Sequence, residues 1–398
     1  MTTPVDQRIV NLNQQLIEAA DAYYKKASPI MSDVAFDASE KELKQLVAAY
    51  PLYASLATYL QKVGSDLKAV SGRTPHRIPM LSIENMYTEE DFLAQYDRFG
   101  GVPVVIEPKF DGVSISMTYV DGELTKALTR GDGTSGEDMT AQVRCTEIPT
   151  SLGKVLSRSN GEPVKVPALV EIRGELVMHE TTLKALNAKY AASGQKTYAN
   201  TRNLTAGTMK LNPAKYADTI RERKITIRPW DVIADQVPDS RIERLRMIKN
   251  AGFSEPEGIL LTDRSQVIPA LRKMLELNKT ADIYRDGVVM KVDSVKTSRS
   301  LGLASKYTNY QTCFKPQGDK GVTYLREVVW QVGRTGRISP VGIVDPIVLA
   351  GATITRVNLN NITWIRAMRI KLGSRISLLR SGSVIPVVER VLDDDPSK

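Results

Sequence analysis

The chain has 398 residues, enough for two or three domains, and its 42% hydrophobic and 25% charged content is ordinary for a globular protein. No apolar run approaches the eighteen or so residues of a membrane helix and no signal-peptide pattern opens the chain; two cysteines, Cys145 and Cys313, and two histidines argue against a disulfide framework or a structural zinc. A net charge of +9 and a pI near 9.3 favour an anionic partner, nucleic acid first, in a reducing, cytoplasmic setting without a membrane.

The first seventy or so residues read as helical. Ile9, Leu12, Leu16, Ala19 and Tyr23 recur at three- and four-residue spacing, an amphipathic stripe interrupted at Ser28-Pro29. Ser32 is placed to cap a second helix carrying Leu43, Leu46, Val47 and Tyr50, which stops before Pro51. Pro75 and Pro79 flank an expected linker, and "TEEDFLAQYDRFGG" reads as a capped helix ending at Gly100-Gly101.

From Val102 the period changes to two. Val113, Ile115, Met117 and Tyr119 alternate with Ser114, Ser116 and Thr118, Asp121-Gly122 is a hairpin signal, and Glu123 to Thr129 returns as the partner strand. Further strands are expected at Ala168–Ile172 with Glu175–Met178, at Lys224–Val232 and at Gly287–Val292, with helices at Thr181–Ser193 and Ile242–Ala251. Strands and helices mixed this irregularly indicate an α+β domain. From Val322 the runs "VVWQVG", "IVLAGATI", "SRISLLR" and "SVIPVVERVL", punctuated by glycine, suit a small barrel.

Four clusters carry the chemistry: Glu107-Pro-Lys109-Phe-Asp111-Gly112, Glu171-Ile-Arg173-Gly174-Glu175, Asp286-Gly287-Val-Val-Met-Lys291 and Phe314-Lys315. Each alone is weak, since a DG pair is more often a turn. Together they describe a demanding site. A lysine attacks only when neutral, so a nucleophilic Lys109 needs a depressed pKa, which Lys291 and Lys315 would supply by converging on it. The same cations would neutralise a phosphate under attack. Glu175 and Asp286 offer oxygen ligands for Mg²⁺, Gly112 permits a tight turn beside the nucleophile, and Arg130 has a fork suited to phosphate or ribose.

The order K-x-D-G, E-x-R-G-E, D-G-V-V-x-K and x-F-K resembles the covalent nucleotidyltransferases, the DNA and RNA ligases and capping enzymes. "PMLSIENMY", "TRGDGTSGEDMT", "YANTRNLTAGTMK", "DGVVMKVDS" and "VGRTGRISPVGIVDPIVLAGATITRVNLNN" narrow the resemblance to bacterial-type NAD⁺-dependent DNA ligases, over nearly the whole chain. The resemblance implies an α+β multidomain fold: a helical module at 1–75, a nucleotidyltransferase (adenylation, ATP-grasp-like) domain at 76–318 and an OB-fold barrel at 319–398, hinged near Lys315 to Thr323. It implies sealing of nicked duplex DNA in three steps, with NAD⁺ and Mg²⁺ as cofactors and Lys109, Asp111, Lys291 and Lys315 as the catalytic group. Glu107 then contacts adenine, Trp230 stacks on it, Arg130 and Glu175 meet the ribose, and Ser82 and Ile83 approach the adenosine from the linker. Arg202, Lys210 and the barrel's Arg334 fall on the DNA side; Lys210 stands where the family has arginine, with one residue deleted nearby.

The family holds the nicotinamide mononucleotide half with Y-H and D-x-x-Y-D. Here Tyr23, Asp33 and Asp37 match, while Tyr24 replaces the histidine and Phe36 the tyrosine, keeping a ring at both places. Family members continue into a four-cysteine zinc finger, helix-hairpin-helix repeats and a BRCT domain, absent from a sequence ending "VLDDDPSK". Either a piece of a longer chain or a chain served by a second polypeptide is expected, competent in self-adenylylation and poor at sealing. Two other readings compete. An ATP-dependent nucleotidyltransferase would lack Tyr23, Asp33 and Asp37, and an inactive DNA clamp would have no reason to keep Lys109, Asp111, Glu175, Lys291 and Lys315.

Overall fold

The computed structural model describes every residue outside 1–3, 25–30, 32, 51–52, 54–55, 62–72, 196, 303–306, 317–318, 333–337, 350–351, 381–385 and 393–398. The chain divides into two compact units, one of Met1–Tyr23, Ser28–Thr58 and Pro316–Lys398, the other of Tyr24–Ala27 and Tyr59–Lys315. Among the described residues no helix is long and apolar enough to cross a membrane.

The larger unit is built on two sheets. Apart from two small two-stranded pairings, Arg73–Pro75 with Ser135–Glu137 and Val155–Ser157 with Pro163–Lys165, its strands are β1 (Ser82–Met86), β2 (Val104–Phe110), β3 (Val113–Val120), β4 (Glu123–Thr129), β5 (Leu169–Val177), β6 (Thr226–Ala234), β7 (Ile259–Leu261), β8 (Arg285–Val292) and β9 (Tyr307–Phe314). They form a four-stranded antiparallel sheet, β6-β5-β3-β4, and a five-stranded sheet, β7-β2-β8-β9-β1, whose last pair alone is parallel. Strand alternation decides what each face of the second sheet carries. Val104 and Ile106 of β2 and Val288, Met290 and Val292 of β8 are buried with Phe92 and Tyr96 of the Glu89–Arg98 helix and with Leu271 and Met274 of the Val267–Lys279 helix. Each such side chain stabilises the fold by roughly 1.5–3 kcal/mol. The other face of the same strands is left to Glu107, Lys109 and Lys291.

Of the strands with one residue too many, two carry sequence-selected site residues. In the β6–β5 ladder the pairing jumps between Pro229 and Asp231, and in the β8–β2 ladder between Arg285 and Gly287. The extra residues are Trp230 and Asp286. A bulge bends its strand and re-aims the unpaired side chain, and both extra residues are among those the sequence reading singled out.

The smaller unit holds two helices and a barrel. Helix α1 (Pro4–Tyr24) buries Ile9, Leu12, Leu16 and Ala19, the expected stripe, and α2 (Asp33–Ala49) buries Leu43. Arg8 grips Glu42 with two hydrogen bonds of 2.8 and 2.7 Å, joining the helices. Strands β10 (Asp319–Val332), β11 (Ile338–Leu349), β12 (Ala352–Asn358), β13 (Arg375–Arg380) and β14 (Val387–Val391) close in the order β10-β11-β12-β14-β13 around Leu325, Val344, Val357, Leu359, Ile376 and Leu378.

Several expectations meet the structure closely. Thr88 caps its helix by accepting from the Asp91 amide at 3.1 Å, and Asp121 and Gly122 both take positive φ, 49° and 84°, as a tight hairpin requires. Others need correction. The expected linker flanked by Pro75 and Pro79 is strand-free, as read, but it is bounded by two strands the sequence did not suggest, Arg73–Pro75 and β1. Ala168–Ile172 and Glu175–Met178 are one strand, β5, because the peptide at Gly174 stays in register with Pro229 and Ile115. Tyr50 does not complete a buried stripe; it lies beyond α2, 45% exposed. The helix at Ile242–Ala251 is an α-helix only over Arg241–Met247, tightening to 3₁₀ at Ile248–Ala251. The helices Thr201–Met209, Pro213–Glu222 and Val267–Lys279 were not expected. The expected cap Ser32 lies outside the described residues.

Candidate active site

The site is assembled from β2 and β8 of one sheet and the paired strands β3 and β5 of the other. Lys109, near the end of β2, donates both to Oδ1 and to Oδ2 of Asp286, at 2.7 and 3.0 Å. Asp286 is the bulged residue of β8, opposite Lys109 because Gly287 pairs with it in register. Lys315, one residue past β9, places its ammonium 3.9 Å from Asp286 Oδ2, and its amide donates to Met86 O of β1 at 2.9 Å. Arg202, in the first turn of the Thr201–Met209 helix, reaches Asp111 Oδ1 at 2.7 Å. Glu175 of β5 accepts from the Gly112 amide at 3.1 Å and from Ser114 Oγ at 2.7 Å. Three cations, Lys109, Arg202 and Lys315, and three carboxylates, Asp111, Glu175 and Asp286, are thereby gathered.

Gly112 serves a purpose other than the expected turn. Its φ is not in the left-handed region; instead a Cβ there would lie 2.0 Å from the Leu176 carbonyl oxygen. Any side chain would push β3 off β5 and carry Glu175 away from Lys109.

The charge state of Lys109 departs from expectation. Burial, the largest single influence, favours the neutral amine, and Lys315 works in the same direction, but the negative groups around it, Asp286 foremost with Cys313 and Asp111, together hold Lys109 above the ordinary lysine value. Lys291 does not converge on Lys109. It is buried in an ion pair with Glu107 and donates to the Trp230 carbonyl at 2.9 Å, because it lies four residues along β8 from Gly287, level with the other end of β2. Burial also pushes the Glu175 carboxyl up to about 7, against the hydrogen bond from Ser114 and the charge of Lys109. Asp286 is held below the usual carboxylate range: burial opposes this, and Lys109, Lys315 and Arg202 prevail.

A second group lies beside the first. The Lys291 ammonium stands 5.7 Å from the Trp230 ring centroid, over Glu107, whose carboxyl burial raises against the pull of Lys291. Asp231, next to Trp230, pairs with Arg241 at 2.7 Å. Sequence reasoning missed this pair, since Arg241 sits in "SRIERLR", where alternating charge signals a solvated helix. Arg130 donates to Ser82 Oγ at 3.0 Å, so the end of β4 and the start of β1 are joined as the motifs require; Ile83 is half-buried beside Ser82.

Other candidates fall elsewhere. Lys210 is exposed at the end of its helix, away from the Arg202–Asp111 contact. Arg334 lies outside the described residues, as do the side chains of Tyr23, Tyr24, Asp33 and Asp37; Phe36 is half-buried on α2. For Mg²⁺, among the described residues no group of three or more His, Cys, Asp or Glu side chains is gathered to cage an ion. Magnesium is usually held by one or two carboxylates with substrate phosphates and water. Glu175 and Asp286, close enough that the Asp286 charge raises the Glu175 pKa, fit an ion that arrives with a phosphate.

Comparison with known proteins bears on all of this at once. The model of the NAD-dependent DNA ligase adenylation domain matches residues 69–318, that of the NAD-dependent DNA ligase OB-fold domain 322–398, and that of the DNA ligase-like, N-terminal NAD⁺-binding domain 2–64. DNA ligase 1 of Opitutus terrae is 33% identical over 396 residues, covering 97% of this chain and 58% of its own. The DNA ligase of Parabacteroides distasonis is 33% identical over 392 residues, covering 96% and 57%, and DNA ligase 1 of Nocardia farcinica 35% identical over 389 residues, covering 97% and 56%. The chain thus spans less than three fifths of the length of these curated relatives.

Proposed function

The chain belongs to the NAD-dependent DNA ligase family, and on that premise we propose that it transfers AMP from NAD⁺ through Lys109 to the 5′-phosphate of a nicked duplex and then joins the strands. In this reading the Lys109 amine attacks the adenylyl phosphorus, a P–N bond forms, and the P–O bond to nicotinamide mononucleotide breaks. The 5′-phosphate oxygen next attacks that phosphorus, releasing the lysine, and the 3′-hydroxyl finally attacks the 5′-phosphorus, expelling AMP. The observation that carries the reading is the cluster of Lys109, Asp286 and Lys315 beside Glu175, drawn from inner strands of two sheets.

Each residue has a task in that sequence. Lys109 must shed a proton, and the Asp286 carboxylate is what retains it. Glu175 and Asp286 would hold Mg²⁺ together with the phosphates, and its charge would compete with Lys109 for Asp286, leaving burial and Lys315 to favour the neutral amine. Lys315 and Lys291 counter charge growing on the phosphate, Trp230 stacks on adenine with Glu107 at its edge, and Arg130 with Ser82 and Ile83 flanks the ribose. Asp111 and its partner Arg202 border the nucleophile, and Arg202, Lys210 and Arg334 face the DNA backbone. Residues 1–75 hold the nicotinamide mononucleotide half through Tyr23, Tyr24, Asp33, Phe36 and Asp37; residues 76–318 carry the adenylylation chemistry, and the barrel of residues 319–398 tracks the duplex without reading its sequence. The work is done in the cytoplasm of a bacterial or phage-infected cell.

The intact mass of the chain after incubation with Mg²⁺ and NAD⁺, beside a parallel sample with ATP, tests the reading. A gain of one AMP with NAD⁺ alone is expected. A gain with ATP alone would overturn the dinucleotide part, and no gain from folded, unmodified protein would overturn the enzyme.

A further inference from the structure

We infer that Arg241 is a positioning residue: it fastens the Trp230 bulge of β6 to the Lys291 end of β8 and thereby sets the spacing in which the adenine is gripped. The inference rests on the adenine reading of Trp230 and Glu107 given above, with Lys291 entering as the side chain that holds both of them.

Arg241 opens the Arg241–Met247 helix and is only 6% exposed. Its Nη1 donates to Asp231 Oδ2 at 2.7 Å, its Nε to Val292 O at 3.1 Å, and the guanidinium carbon lies 4.6 Å from the centroid of the Tyr310 ring on β9. Its own amide donates to Asp293 O at 2.9 Å, and the Asp293 carboxylate takes the next amide, that of Ile242, at 3.0 Å. One side chain therefore holds the residue after Trp230 on the first sheet and the residue after Lys291 on the second.

That placement matters because Trp230 is the extra residue of a bulge. Pro229 and Asp231 are in register with Gly174 and Arg173, whereas Trp230 is skipped. What locates its peptide is the Lys291 ammonium at 2.9 Å from its carbonyl oxygen, and what locates that end of β8 against β6 is Arg241. The planar fork can serve two acceptors in fixed directions; a lysine serves Asp231 or Val292 but not both at these angles. A buried ion pair is weak evidence for stability in itself, so a purely structural Arg241 would change the melting temperature and leave the affinity of the folded protein alone.

The test is the rate at which the 398-residue chain takes up AMP from NAD⁺, followed by intact mass across NAD⁺ concentrations for the wild type, Arg241→Gln, Arg241→Lys and Asp231→Asn. Arg241→Gln raises KM for NAD⁺ on the order of tenfold while kcat stays within about twofold, since a small displacement of a binding group is felt mainly in binding. Arg241→Lys recovers the melting temperature but only part of KM. An unchanged KM in folded Arg241→Gln, or a loss confined to kcat, overturns the inference while the ligase reading stands. Should Arg241→Gln not fold, Asp231→Asn decides: a raised KM supports the inference, an unchanged one overturns it. A wild type that takes no AMP from NAD⁺ overturns the ligase reading and this inference together.

Discussion

The two bulges invite comparison. At Asp286 on β8 the extra residue faces Lys109, a group that must change its charge in the proposed reaction, and the balance among burial, Asp286 and Lys315 is one that a bound cation or phosphate would tip. At Trp230 on β6 the neighbouring charges are matched in fixed pairs, Lys291 with Glu107 and Arg241 with Asp231. The first bulge delivers a titrating pair, the second a frame. The same local irregularity thus serves reactivity in one sheet and geometry in the other, and only the partners distinguish them.

If that division is right, disturbing the first bulge changes chemistry and disturbing the second changes affinity. The largest effect is expected for Lys109→Ala, which reduces the AMP adduct to background by intact mass while binding of nicked duplex in a gel shift is retained; a persisting adduct would place the nucleophile elsewhere. Next comes Glu175→Gln. The folded-state pKa of Glu175, about 7, lies above the ordinary 4.5, so the folded chain binds the extra proton in that window and loses stability as pH rises through it. Urea unfolding at pH 4.5 and pH 8 should therefore find the variant gaining roughly 2–3 kcal/mol on the wild type between the two. A constant difference would mean that Glu175 is not strained by burial.

On the side of the frame, Trp230→Ala is expected to raise KM for NAD⁺ with little change in kcat, by the roughly 1–3 kcal/mol that stacking a base on an aromatic ring contributes. An effect confined to kcat would move Trp230 into the reacting group and erase the contrast. Asp286→Asn gives the smallest change, and one that needs no turnover. Removing the carboxylate that raises the Lys109 pKa should speed acylation of Lys109 by an amine reagent at pH 9 on the order of tenfold, read by peptide mapping. Slower labelling would show that Asp286 does not hold the proton.

What could be foreseen from the sequence was local. The Thr88 cap, the Asp121-Gly122 hairpin, the alternation of Val113 to Tyr119 and the punctuated runs of the barrel each depend on neighbours in the chain. The bulges left no mark, because one extra residue in a strand shifts the period without interrupting it. Strand β1 went unseen because "SIENM" is polar and its partner, β9, is remote in sequence. The Thr201–Met209 helix was missed because Thr, Asn and Gly are poor helix formers; buried Thr205 and Thr208 and the Arg202–Asp111 contact decide it instead. That Lys109 lies in a charged cluster was legible and its protonation was not, since that depends on which carboxylate the fold brings against it.

The parallel pairing of β1 with β9 sets a timetable for synthesis. Thr312 Oγ1 donates to Glu84 O, 228 residues earlier. At about 5–20 residues per second on the ribosome, β1 waits roughly 10–45 s after its own emergence before its partner exists. Throughout that interval Ser82 and Ile83 have no strand beside them on which to lie, so a nascent chain cannot present the finished pocket proposed for adenosine. The sheet edge that completes the pocket is the last long-range pairing of the unit to become available, and a chain interrupted before Phe314 is left with an open edge where its nucleotide would bind.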